Sequence, residues 1–293
     1  MQAAVRITQS TDGEPLAFRV AGPAGGTPLL TVHGLVSSVQ HWRYFTPRYT
    51  SERPVVSWEY RGHGGQPPPR DHRTASVAQF AEDAYAVWAA SGVGPAVVAG
   101  LSFGVQVALE LWRQHPAAVR GLVLMCGTPG HPLDRLSSAP ALRRAAAAAV
   151  RAVGARSSLA RPLLSTLGSP TGRKLAREIA YLTGGARRGA CPREVLEDLF
   201  AHVAALDPQL LAEVTASYLE HTAIDVLPTI TVPTLIIAGD RDQLTPVAIA
   251  ERMHREIPGS RLVVFSGHSH LVQVERPDDV HGEIDRFLAE HGL

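Results

Sequence analysis

Apolar residues along this chain follow two alternating patterns. Short unbroken runs predict strands buried on both faces: Pro28 to Val32, Pro54 to Trp58, Ala96 to Ala99, Val119 to Cys126, Val232 to Gly239 and Arg261 to Phe265. Between them apolar residues return at helical spacing. Helices are predicted over Ser76 to Ala90, with Ser76 and Gln79 placed as a capping box, from Ser102 to about Gln114, over Val247 to Glu256, and over Asp278 to Ala289. Ahead of them, Ala4 to Gln9 and Leu16 to Ala21 alternate on either side of Thr11-Asp12-Gly13-Glu14, the signature of a hairpin. Strands separated by helices predict an α/β fold, a mostly parallel central sheet flanked by helices on both faces.

The rhythm changes from Gly130 to about Thr222. This stretch is helical throughout, rich in Ala and Arg, and broken at Gly168-Ser169-Pro170 and Gly184-Gly185. Strand logic then resumes. The predicted organisation is a core in two parts, residues 1–129 and 223–293, with a helical cap over 130–222 inserted between two late strands. Ligands of parallel sheets sit at the carboxyl ends of the strands. Four groups fall there: His33-Gly34, Ser102, Asp240 to Asp242, and His268 to His270. The insertion is placed to roof that edge.

Ser102 is the centre of this set. It lies in Gly100-Leu101-Ser102-Phe103-Gly104, between an apolar strand and a helix. A Gly-x-Ser-x-Gly turn there projects the hydroxyl above the sheet edge, and a Cβ at Gly100 or Gly104 would crowd its neighbours. The helix that follows turns its N-terminal N–H groups toward the serine, where charge develops in acyl transfer. A serine needs a base, and the base needs an orienting group. The chain supplies an acid at a later strand end, Asp240 or Asp242, and then a histidine at the next, His268 or His270.

These motifs resemble the α/β-hydrolase superfamily, in its serine-nucleophile, esterase or C–C hydrolase-like branch. The resemblance rests on His33-Gly34-Leu35, Glu59-Tyr60-Arg61-Gly62-His63-Gly64, Gly100 to Gly104, Val232-Pro233-Thr234-Leu235 leading to Gly239-Asp240-Arg241-Asp242 and Pro246, and Gly267 through Pro277. It implies Ser102 as nucleophile, with the backbone N–H groups of Leu35 and Phe103 as the oxyanion hole and His33 shaping its loop. The family's Gly-x-x-Asp-x-x-x-Pro pattern selects Asp242, leaving Asp240 as a loop hydrogen-bonder; Asp134 is the other alternate. The Glu-x-Pro at Glu275-Arg276-Pro277 selects His270 five residues before it, with His268 as alternate, beside the site or facing solvent. The implied activity is hydrolysis of an ester-like carbonyl in a small, mainly apolar substrate through a Ser-His-Asp triad and an acyl-enzyme. The same machinery serves C–C hydrolases, thioesterases, perhydrolases and acyltransferases, and a non-catalytic ligand cup is the alternative of another class.

The resemblance implies a small-molecule substrate as the partner, and composition disfavours other classes. The 28 Lys and Arg against 27 Asp and Glu, net +1, disfavour nucleic acid. Two distant cysteines, Cys126 and Cys191, make no disulfide framework, no run is apolar enough to span a membrane, and the first residues show no leader, so a cytoplasmic location is expected. No clustered Cys/His spacing asks for a metal, the proposed chemistry needs no cofactor, and nothing specifies an oligomeric state. Basic residues crowd the insertion. Two expectations arise: solvated arginines covering an amphipathic lid, or one or two of Arg135, Arg143, Arg144 and Arg151 turned inward to recognise a carboxylated or acyl-carrier-bound substrate.

Overall fold

The computed structural model describes residues 3–132 and 139–293. Eight strands form one sheet: β1 (Arg6–Gln9), β2 (Pro15–Ala21), β3 (Leu29–Val32), β4 (Val55–Trp58), β5 (Ala96–Leu101), β6 (Val119–Met125), β7 (Thr234–Gly239) and β8 (Arg261–Phe265). Their spatial order is β1-β2-β4-β3-β5-β6-β7-β8. The β1–β2 hairpin and the β2–β4 pair are antiparallel, and every other pair is parallel.

Side chains on a strand alternate between faces, and the central strands use both. Leu30, Val98 and Ile236 join one core with α2 (Val77–Ser91), α3 (Phe103–Gln114) and α9 (Val247–Glu256). Leu29, Val97, Ala99, Leu235 and Ile237 join the other, with α1 (Phe45–Tyr49) and α11 (Pro277–Glu290). This double burial explains the unbroken apolar runs. The sequence prediction of a mostly parallel sheet covered on both faces holds.

The predicted capping box is half formed. Ser76 accepts from the Gln79 N–H at 3.2 Å, but the Gln79 amide reaches out to Ser10, Thr11 and Asp83. A tertiary network there competes with the local bond.

Between β6 and β7 lie α4 (Pro140–Gly154), α5 (Ser157–Leu167), α6 (Pro170–Leu182), α7 (Arg193–Ala205) and α8 (Pro208–Glu220). Proline at the first position fits α4, α6 and α8 because the N–H it lacks has no helical partner there. Asp207 caps α8 through the Gln209 and Leu210 N–H groups. An isolated antiparallel bridge joins Gly130 to Thr222 and draws the two ends of the insertion together.

Candidate active site

Ser102 follows β5 directly and stands immediately before α3, with φ 56° and ψ −116°. A non-glycine residue holds such a conformation only where its surroundings enforce it. Here the serine N–H donates to the Met125 carbonyl at 2.8 Å. The flanking glycines are required by contact: a Cβ at Gly100 would lie 2.6 Å from the Gly104 carbonyl oxygen, and one at Gly104 would lie 2.3 Å from that of Val32.

Asp242 follows β7 and His270 follows β8. His270 Nε2 is 2.9 Å from Ser102 Oγ, and its Nδ1 is 2.7 Å from Asp242 Oδ2. The buried Asp242 carboxylate also accepts from the Leu244 and Thr245 N–H groups at 2.8 and 2.9 Å, and from the Thr245 hydroxyl at 2.7 Å. Because that hydroxyl is committed to Asp242, it can only accept from Nδ1, 3.3 Å away. Nδ1 thus faces two acceptors and carries the ring proton, leaving the Nε2 lone pair for the serine hydroxyl. The structure therefore brings three of the sequence-derived residues into one hydrogen-bonded line.

The alternates lie elsewhere. Asp240 accepts from the Ser266 hydroxyl at 3.1 Å and the Gly267 N–H at 2.6 Å, holding the loop before the histidine. His268 is buried, which corrects the solvent-facing expectation, because Glu275 Oε2 lies 3.1 Å from its Nδ1 and Arg187 Nη1 lies 3.1 Å from its Nε2. Asp134 lies outside the described residues. Phe103 is the first residue of α3, so its N–H has no partner within the helix. Leu35 lines the cavity beside Ser102. Its loop is tied from below: His63 Nε2 is 3.2 Å from the Leu35 carbonyl, the Tyr60 hydroxyl donates to the His33 carbonyl at 2.7 Å, and Glu59 accepts from the Val39 N–H at 3.3 Å. His33 itself is fully buried, and burial holds its imidazole well below the usual range.

Sequence reasoning missed three groups. Thr245 braces both Asp242 and His270. The Gly184 carbonyl, after α6, accepts from the His270 N–H at 3.1 Å. The buried Glu275 takes the Ser269 N–H at 3.0 Å, the Ser269 hydroxyl, and the Arg187 N–H at 2.6 Å. Only the Glu-x-Pro spacing hinted at Glu275; the other two arise from chain segments far apart in sequence.

A cavity of about 380 Å³ opens above Ser102 and His270, walled mainly by Leu35, Leu196, Leu199, Tyr218, Leu244 and Leu271. Burial pushes the Tyr218 hydroxyl up and the His41 imidazole, at the cavity wall, down to about 4, so neither brings charge at neutral pH. Among the described residues no Asp, Glu, Lys or Arg lines this space. The inward-arginine expectation fails for Arg151, which pairs with Glu213 at 3.0 Å and Glu220 at 2.8 Å. Arg143 and Arg144 border a different recess, with Pro140 and Glu220, and Arg135 lies outside the described residues. Cys126, just after β6, is buried and its pKa is raised by that burial, so it offers no rival nucleophile.

Comparison with known proteins agrees with this architecture. The profile of the Alpha/beta hydrolase family matches residues 29–283. Pimeloyl-(acyl-carrier protein) methyl ester esterase of Neisseria meningitidis is 30% identical over 244 residues, covering 82% of this chain and 84% of its own. A hydrolase from Pseudomonas aeruginosa PA01 superposes with a TM-score of 0.76 at 26% identity, over 97% of this chain and 98% of that one. A thermophilic esterase from Thermogutta terrifontis shares the fold, with a TM-score of 0.74, 24% identity, and coverage of 99% and 100%. The sheet, the serine turn and these matches lead to one conclusion: this chain is a member of the alpha/beta hydrolase family.

Proposed function

We propose that this protein is a serine hydrolase that cleaves an ester-like carbonyl in a small, mainly apolar substrate. The observation that carries this reading is the line Ser102–His270–Asp242, at 2.9 and 2.7 Å, opening into an uncharged cavity. In the first step Ser102 Oγ attacks the carbonyl carbon while its proton passes to His270 Nε2. Asp242 holds the imidazole in the needed tautomer and stabilises the imidazolium that forms. Negative charge on the carbonyl oxygen is met by the N–H groups of Leu35 and Phe103, donors already fixed in place and needing no reorganisation. The imidazolium returns its proton to the departing alcohol, leaving an acyl group on Ser102. Water, deprotonated by His270, attacks that ester; the acid leaves and the serine regains its proton.

Residues 130–222 act as the cap in this reading. They supply Leu196, Leu199 and Tyr218 to the substrate space, while 1–129 and 223–293 supply the reacting groups. An apolar wall selects by shape and buried area, and among the described residues it presents no cation to favour a carboxylate. The test is covalent labelling with a fluorophosphonate, mapped by peptide mass, beside hydrolysis of short acyl esters. Label on Ser102, lost in Ser102→Ala and His270→Ala but kept in His268→Ala, is the expected result. Well-folded protein that takes no label and turns over no ester would overturn the reading in favour of a ligand cup.

A further inference from the structure

The cavity above Ser102 is walled mainly by carbon, and most of its polar side chains are committed. Ser102, His270 and Thr245 bond to one another or to Asp242. The Thr183 hydroxyl donates to the Ile179 carbonyl at 2.9 Å, and that of Ser37 turns to the Ser38 carbonyl 3.5 Å away. Both ring nitrogens of His41 are buried, out of a ligand's reach. Tyr218 is different. It lines the same cavity, yet among the described residues its hydroxyl has no hydrogen-bond partner. Burial, and after it the charge of Asp242, keeps that hydroxyl protonated. It is a neutral donor left unused.

The surrounding structure fixes where this donor sits. Tyr218 belongs to α8, and its neighbours in sequence are pinned. The Val77 N–H donates to the Ser217 hydroxyl at 3.0 Å, and the His221 ring lies 2.8 Å from Gln106 and 3.0 Å from Glu110 of α3. The tyrosine ring stands edge-on to that of Phe103, with 5.5 Å between centroids. Phe103 directly follows the serine, so Tyr218 stands at the reacting end of the cavity. A substrate filling this space displaces water from the hydroxyl. An apolar group there leaves the donor buried and unpaired, whereas an oxygen there completes the bond. A carboxylate is the wrong acceptor: Asp242 is close enough to act on the ring, and no cation among the described lining residues offsets it.

We propose that Tyr218 is a specificity-determining donor, and that the substrate is an ester with a second, uncharged acceptor oxygen close to the scissile carbonyl, of ether, keto or hydroxyl type. The substrate class rests on the proposed hydrolase reading; the role of Tyr218 in binding does not.

Matched esters that exchange one methylene for oxygen test it. For the acyl side these are p-nitrophenyl methoxyacetate and p-nitrophenyl butyrate; for the alcohol side, methoxyethyl acetate and butyl acetate. An ether oxygen also changes intrinsic reactivity, so the quantity read is the ratio of kcat/KM within a pair, compared between the unaltered chain and Tyr218→Phe. In one of the two pairs that ratio should fall about tenfold in Tyr218→Phe. The urea midpoint should not fall, because the ring keeps its contact with Phe103 and the deleted hydroxyl had no partner; a hydroxyl bonded within the fold would lower it. Calorimetric binding of the same esters to Ser102→Ala should show the same preference and lose it when Tyr218→Phe is added. That binding result does not require turnover, which separates this proposal from the catalytic one. Ratios unchanged in both pairs would overturn it, as would an equal loss of kcat on all four esters, the mark of a donor to the oxyanion instead. So would a chain that neither binds nor turns over either ether ester.

Discussion

At Ser102 the strained backbone, the short contacts of Gly100 and Gly104, and the His270 bond converge on one hydroxyl. On the proposed mechanism, Ser102→Ala and His270→Ala are each expected to lower kcat by about 10⁴-fold or more, read by ester hydrolysis. Asp242→Asn keeps the shape but reverses the tautomer preference, and should cost on the order of 10³–10⁴. Gly104→Ala would set a Cβ 2.3 Å from the Val32 carbonyl oxygen and 2.9 Å from that of His33, backbone atoms with no flexible tip to yield. It should destabilise by about 3 kcal/mol, measured as a shift in the urea midpoint. The glycines and the serine were legible because their reasons are local: a turn of this kind leaves few residue choices. Thr245 was not, since its hydroxyl matters only once β7 and β8 lie side by side.

Among the elements, the segment from Gly267 to α10 (Val272–Glu275) holds the histidine. Glu275 gathers the Ser269 N–H, the Ser269 hydroxyl, His268 and the Arg187 N–H on one carboxylate. Glu275→Ala leaves those donors buried without a partner, each costing about 1–3 kcal/mol. The expected result is a kcat lowered by about tenfold with KM nearly unchanged, since Glu275 touches the histidine loop and not the cavity. The long elements were visible from their periodicity, and β8 and α9 match the sequence expectation at both ends. The short helices α1 and α10 have five and four residues, too few to establish a period. The choice between the two expectations for the arginines was not legible for a related reason: composition counts charges without saying which face a helix presents, and the carboxylates that claim Arg151 sit on α8, some sixty residues later.

Across the whole molecule, titration acts through groups buried near the Leu35 loop. Burial lowers His33 and His63, and brings His41 and His202 to about 4. These rings stay neutral in the fold, so as pH drops below about 6.5 the unfolded chain takes up protons first and stability is lost toward pH 4. Glu59 runs the other way. Burial raises it to about 7, so its contribution is fullest below about 4.5 and is lost as pH rises through 7. The histidines outnumber it, and the urea midpoint should fall on acidification from pH 6.5 to 4.5. Glu59→Gln should raise stability at pH 8, on the order of 2–3 kcal/mol, by removing a buried charge. His270 is held partly from the insertion, through the Gly184 carbonyl on its N–H and Arg187 on His268 and Glu275. Helices 140–220 are therefore not an interchangeable module. A chimera that grafts a relative's insertion onto this sheet should label normally only if the graft carries its own equivalents of Gly184 and Arg187, so the cap and the loop after β8 have to be inherited, or engineered, as one piece.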